Sequence, residues 1–392
     1  MKHSLIICLF ALFSLLTYAQ KENDFMVSGQ LNNVENGTVI TLMQQMGKLG
    51  ISVVNDTLRN GSFSLKWHVE DRKRTESFSL SVRADGFPSM SLPLWVKAGS
   101  NVKITGNDKL IYTWEVESDV PEQVEKMRFV NASRKDWIEY QRLSAQRAIL
   151  YKDVQNISQK EYKKMRRVIG DSLDRLAGPY RHNIRLKELD LLEQGPVSDI
   201  GMEVLDGVAM TIKYSEDKSL SPRAEAVYHK LNDEQKNSRK GRSIHVNLFP
   251  PRAVKVGEPM IDAKVFDLEG KEYNLSDFKG RYLLFDFWST GCGPCIMAIP
   301  EMRELAEEYK ERLTIISLSL DTKKGWQRGS EMHKMTWMNL SDGEEMQGVA
   351  AKYGVAGMPN YTMISPEGIV LGSWMGYGKG SLKKKIKEYV KD

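Results

Sequence analysis

Residues 285–302 read FDFWSTGCGPCIMAIPEM. Two cysteines, Cys292 and Cys295, stand two residues apart. Such a pair serves as a redox couple, as half of a metal site, or as an ordinary structural bond. The flanking residues narrow the choice. Before the pair, YLLFDFW is a near-continuous apolar run, which predicts a central buried strand. After it, IMAIPEMRELAEEYKE predicts a helix. Cys292 then falls at a helix N-terminus, where free N–H groups and the helix dipole favour a thiolate. Cys295 falls one turn in and deeper. This arrangement suits disulfide exchange: Cys292 attacks a disulfide, then Cys295 attacks the mixed disulfide and releases the partner as a thiol. Gly293 and Pro294 complete the short ring, and Pro294 stiffens it. Zinc needs about four ligands, and no second cysteine pair or Cys-His cluster accompanies this one.

Three further residues draw attention. Asp286 sits within the apolar strand, six residues before Cys292. A carboxylate there is costly without a role or a partner. Burial would raise its pKa toward neutrality and suit it to take the Cys295 proton. A carboxylate satisfied by a lysine or by backbone groups is the alternative. Pro359, in GVAGMPNYTMIS, precedes a strand, a position where proline is often cis. A cis bond would leave the Met358 backbone free to pair with an extended substrate segment. Pro300 is expected to kink the helix after the cysteines.

At these residues the sequence resembles the thioredoxin superfamily, and more closely the exported TlpA/ResA-type thiol:disulfide oxidoreductases. The likeness rests on FWSTGCGPCIMAIPEM, on GVAGMPNYTMISPEG and on their spacing, within residues 250–392. It implies an attacking Cys292, a resolving Cys295, a cis-proline at Pro359, a buried aspartate at Asp286 and a helix proline at Pro300. One departure is visible: Gly291 stands where the family usually has tryptophan, with Trp288 earlier. The expectation is a more open attacking sulfur. The resemblance further implies reduction of disulfides in exported proteins, with cytochrome c biogenesis as one setting. Electrons would come from a membrane thiol-transfer donor, since no nicotinamide or flavin motif is present. The expected cofactor set is therefore empty apart from the Cys292–Cys295 redox-active disulfide. A homodimer mediated by the front domains is a further expectation.

The 392 residues suffice for two or three domains. A net charge of +5 over this length argues only weakly for nucleic acid or membrane partners. The first residues, MKHSLIICLFALFSLLTYAQ, combine Lys2, an apolar run from Leu5 to Leu16 and small residues at Thr17 and Ala19. This predicts a secretory signal cleaved near Ala19 or Gln20, with a retained anchor as the alternative. Cys8 lies inside the run, outside a cleavage context. A periplasmic or envelope location follows, and Cys292 and Cys295 would be the mature chain's cysteines.

The expected domain order is a signal over 1–20, a small β domain over 21–112, a helical region over 113–240, a linker over 241–256 and a thioredoxin-like domain over 257–392. FMVSGQL, TVITLMQQ, SFSLKW, SFSLSVRA and LWVKAGSNVKI read as short strands of an antiparallel, sandwich-like domain. It resembles, more weakly, the β domain preceding thioredoxin domains in Bacteroidetes-type exported proteins. Helices are expected over Lys160–Leu176 and Arg181–Leu192, and from Ser221-Pro222 onward. A further helix is expected around Trp326 to Met335. The lone histidines His68, His182 and His229 carry no ligand pattern. Two other functions compete with exchange: a thioredoxin-fold peroxidase, and a non-enzymatic envelope adaptor with incidental cysteines.

Overall fold

A computed structural model describes residues 23–46, 49–154 and 157–390. The expected signal segment, with Cys8, lies outside the described residues. The chain divides into two compact units. One holds most of the β domain and residues 141–173. The other holds residues 174–392 with two short earlier pieces.

Among the described residues the β domain has eight strands: β1 (Asp24–Leu31), β2 (Val39–Met46), β3 (Leu49–Thr57), β4 (Ser62–His68), β5 (Glu76–Val82), β6 (Leu92–Val96), β7 (Asn101–Gly106) and β8 (Glu115–Glu117). They form two four-stranded sheets, ordered β4-β1-β7-β8 and β3-β2-β5-β6. Alternation along the strands sends Phe25, Val27, Ile40, Leu42, Leu80 and Ile104 into one shared core. The expected sandwich is present. One ladder differs from an all-antiparallel arrangement: β1 and β7 run parallel. The long path between them, through the second sheet, allows this where a hairpin would not.

Helices follow: α1 (Pro121–Ala132), α2 (Arg134–Asp153), α3 (Gln159–Leu192), α4 (Asp199–Tyr214), α5 (Ser221–His229), α6 (Asp233–Asn237) and α7 (Arg239–Leu248). Two expectations change here. The two helices expected over 160–192 are one helix, with Pro179 inside it. Proline removes a single amide donor from the ladder, and Arg181 donates to the nearby Asp174 carbonyl at 3.1 Å. The stretch expected as a linker over 241–256 is helical up to Leu248. Ser238 caps that helix by accepting from the Gly241 amide at 3.0 Å, and Ile244, Val246 and Leu248 are buried. Its charged residues mask the apolar side in a composition reading.

The C-terminal domain comprises β9 (Lys264–Phe266), β10 (Glu272–Asn274), β11 (Tyr282–Trp288), α8 (Gly293–Glu308), β12 (Leu313–Ser319), α9 (Lys323–His333), β13 (Met338–Leu340), α10 (Val349–Lys352), β14 (Asn360–Ile364), β15 (Val370–Met375) and α11 (Ser381–Tyr389). Its main sheet has the order β13-β12-β11-β14-β15. β11 and β12 are parallel because α8 supplies the crossover. β14 and β15 run antiparallel to their neighbours, as a hairpin. This is the expected thioredoxin-like α/β fold.

β11 is buried on both faces, which explains its nearly unbroken apolar sequence. Leu283, Phe285 and Phe287 pack with Val349 and Ala350 of α10. Leu284 points the other way and packs with Ala298, Met302 and Leu305 of α8 and with Leu382 and Ile386 of α11. Glu301 of α8 joins the two helices on that side. Its carboxylate accepts from the Tyr377 hydroxyl at 2.9 Å, the Gly380 amide at 2.8 Å and the Lys383 amide at 2.9 Å. The carboxylate thereby satisfies otherwise unpaired N–H groups at the start of α11.

Candidate functional site

β11 ends at Trp288, and four residues later the chain enters α8. Cys292 is the N-cap of α8, and its Sγ accepts from the Cys295 amide at 3.2 Å. The two cysteines are bonded as a disulfide with Cα atoms 5.2 Å apart. Cys292 is half-buried, Cys295 is buried, and Gly293 and Pro294 are exposed. The sulfur nearer the surface is thus the one at the helix N-terminus, where a developing thiolate is best stabilised. Pro294 stands in the first turn, where a missing amide costs nothing. Pro300 lies within α8. Among the described residues, no group of three or more His, Cys, Asp or Glu is placed to hold a metal ion.

The segment before Cys292 is tied down by Asp321, at the end of β12. Its carboxylate accepts from the Ser289 hydroxyl at 2.7 Å and the Thr290 amide at 2.6 Å. The Thr290 hydroxyl donates to the Gly325 carbonyl at 2.9 Å. Gly291 is exposed.

Two indoles accompany the disulfide. Trp288, Cys295 and Trp326 of α9 form one buried cluster, against which Cys292, Met335 and Met358 pack. Both indole N–H groups donate to Asn339 Oδ1, Trp288 at 3.2 Å and Trp326 at 3.0 Å. Asn339 in turn donates to the Ser330 hydroxyl at 2.7 Å. Trp326, Asn339 and Asp321 were not expected at the site from the sequence. Replacing Asn339 by leucine strands both indole donors and should lower stability by about 2–3 kcal/mol. Urea unfolding with tryptophan fluorescence measures this. An unchanged midpoint would show that the shared acceptor is not needed.

Asp286 lies on the α8-covered face of β11, between Leu284 and Trp288 by strand alternation. Leu284 meets Ala298 and Trp288 meets Cys295, so Asp286 sits beneath the first turns of α8. It is 6% exposed. No lysine among the described residues neutralises it. Ser317 of β12 donates its hydroxyl to Oδ2 at 2.7 Å. Burial pushes its pKa up to about 7, and the Ser317 hydrogen bond pulls in the other direction. The register places Ser317 on one side of Asp286 and Tyr361 on the other. Burial raises the Tyr361 hydroxyl as well.

Met358–Pro359 is a cis peptide bond. Pro359 is buried and immediately precedes β14, and its carbonyl accepts from the Gly376 amide at 2.8 Å. A Cβ on the neighbouring Gly357 would stand 2.8 Å from the sulfur of the exposed Met375 side chain. Met358 packs against the indole–cysteine cluster, so the proline turn and the disulfide share one surface.

Residues 256–372 match the AhpC/TSA family model. The chain is 32% identical over 133 residues to the thiol-disulfide oxidoreductase ResA of Geobacillus thermodenitrificans, covering 33% of this chain and 75% of that one. It is 30% identical over 154 residues to ResA of Bacillus anthracis, covering 38% and 86% respectively. The thioredoxin domain of a thiol-disulfide oxidoreductase from Bacteroides vulgatus is 26% identical, covering 35% of this chain and 99% of that one, with a TM-score of 0.33. With a disulfide at the head of α8 and three quarters of a ResA sequence matched above 30% identity, the chain belongs through its C-terminal domain to the ResA-like thiol-disulfide oxidoreductases of the thioredoxin superfamily.

Proposed function

We propose that the protein reduces disulfides in other extracytoplasmic proteins. The carrying observation is the Cys292–Cys295 disulfide at the N-terminus of α8, with one sulfur near the surface and one behind it. In the dithiol form, the Cys292 thiolate attacks a substrate disulfide. One substrate sulfur leaves as a thiolate and the other is joined to Cys292. Asp286 takes the Cys295 proton, and the Cys295 thiolate attacks the Cys292 sulfur. The Cys292–Cys295 bond forms, the second substrate sulfur leaves, and two electrons have passed to the substrate. Trp288, Gly293 and Pro294 shape the surface around the sulfurs. Met358 and Pro359 offer backbone to an extended substrate segment.

The oxidised pair must be reduced again. A membrane thiol-transfer protein is the simplest donor, because the exchange chemistry needs only thiols. Residues 1–20 have the pattern of an export signal, which supports a periplasmic or envelope location. Among the described residues, no helix is long and apolar enough to cross a membrane. The β domain and the helical region, as domains preceding the catalytic one, are assigned to partner recognition or to a homodimer. A role in cytochrome c biogenesis is one place for such a reductase.

Equilibration with glutathione or dithiothreitol buffers measures the direction of exchange. A potential near thioredoxin's, roughly −270 mV, is expected for a reductase fed by a dedicated donor. A value toward roughly −120 mV would make the protein an oxidant of thiols. Absence of a reversible dithiol couple would end the exchange reading altogether.

A further inference from the structure

Ser317 is fully buried and makes two hydrogen bonds with side chains. Its Oγ lies 2.8 Å from Trp337 Nε1 and 2.7 Å from Asp286 Oδ2. An indole N–H can only donate. The serine oxygen must therefore accept from Trp337, and its single proton is left for Asp286. Turning the hydroxyl around would point that proton away from the carboxylate inside a residue with 0% exposure. The direction of the chain Trp337 to Ser317 to Asp286 is thus set at its indole end. Oδ2 is then occupied as an acceptor whether or not Asp286 is ionised, and Oδ1 is the oxygen free to gain or lose a proton.

We propose that Ser317 and Trp337 are positioning residues for proton transfer, aligning the Asp286 carboxyl so that Oδ1 is the oxygen that receives the Cys295 proton. This deepens the reading given above and rests on Asp286 acting as the base. The register supports it. Asp286 pairs with Ser317 on one side and Tyr361 on the other, and of the two hydroxyls it is Ser317 that bonds the carboxyl, the Tyr361 hydroxyl being buried without a hydrogen-bond partner among the described residues. Among the described residues, the titratable groups on this face are Tyr361 from β14, the Cys295 sulfur from α8, Tyr377 and Glu301, with Tyr282, Tyr309 and Tyr389 in the apolar cluster around Leu284. No cation among the described residues contributes to the acidity of Asp286, which is governed by burial and Ser317. A hydroxyl donor favours the ionised carboxyl. Ser317 thereby keeps a buried acid able to serve as a base near neutral pH, the task a lysine would otherwise perform.

The test uses the full chain, with Ser317→Ala, Ser317→Thr, Trp337→Phe and Asp286→Asn. Two quantities are followed against pH: the carboxyl titration of Asp286, by carbon NMR of labelled aspartate, and the rate at which Cys295 resolves a Cys292 mixed disulfide with glutathione. In Ser317→Ala, both the titration and the acidic limb of the rate profile should move upward by about one pH unit. Trp337→Phe should move both the same way and by less, and Ser317→Thr should restore the wild-type positions. Trp337→Phe keeps the proposal testable if Ser317→Ala folds poorly. If Asp286→Asn removes the limb while the Ser317 and Trp337 variants leave both quantities in place, the relay is overturned and the Asp286 role stands. If Asp286→Asn itself leaves the limb unmoved, the base assignment fails and the positioning role fails with it.

Discussion

Cys292→Ser should abolish disulfide exchange, with a loss of at least about a thousandfold, because a serine hydroxyl at this position cannot supply the nucleophile. The loss should come without unfolding. Cys292 is half-buried at the cap of α8, and serine is itself a good N-cap. Cys295→Ser should behave differently. The first attack survives, the second cannot occur, and a mixed disulfide with substrate accumulates at Cys292. Mass spectrometry before and after dithiothreitol detects that adduct. Should the adduct instead build up in Cys292→Ser, the two roles would be reversed. Full retention of exchange in Cys292→Ser would leave the cysteines incidental and favour an adaptor.

Asp286→Asn should make the protein more stable at pH 8 and leave it almost unchanged at pH 4. The native carboxyl holds its proton up to about pH 7, whereas an unfolded aspartate releases it near 3.8. Between those values the folded state binds more protons than the unfolded one. The stabilisation is therefore complete below 3.8 and is lost as pH rises through about 7. Asparagine removes the titration and keeps a carbonyl oxygen for the Ser317 hydroxyl. The gain should reach about 4 kcal/mol above pH 8, as an order of magnitude. Urea denaturation of both proteins at several pH values measures it. Parallel stability curves would show that Asp286 is not a buried acid of raised pKa. If activity near pH 7 falls in the same variant, the protein sacrifices stability for a base at this position.

What could be read from the sequence was local. The apolar run Tyr282–Trp288, the CGPC turn and the following helix are neighbours in the chain, so their order announces the site. Pro359 carries its own conformational signal. Asp286 stands out because a carboxylate in an apolar strand is anomalous. The residues that complete the site gave no such signal. Ser317 reaches Asp286 through strand register, 31 residues away, and Asn339 reaches Trp288 across 51. A serine in LTIISLS or an asparagine in a three-residue strand looks ordinary until the sheet is assembled. Trp326 lies in a helix whose existence was expected but whose inward face was not. The errors in the helical region have a different origin. Gly178-Pro179 looks like a break, yet one missing amide does not end a helix that tertiary packing sustains. In α7, the arginines and lysine hide a buried stripe of only three apolar residues.

Glu301 gives the site an order of assembly in time. The cysteine-bearing helix α8 and the strand beneath it are made early in the synthesis of their domain. The groups that Glu301 accepts from lie at positions 377, 380 and 383, and the apolar residues closing that face are Leu382 and Ile386. A growing chain therefore carries Cys292 and Cys295 for about 90 further residues before the layer behind them can close. Over that interval the thiols lack their finished surroundings. Proteolytic trimming back to about residue 376 would return the molecule to that state, with both cysteines still covalently intact.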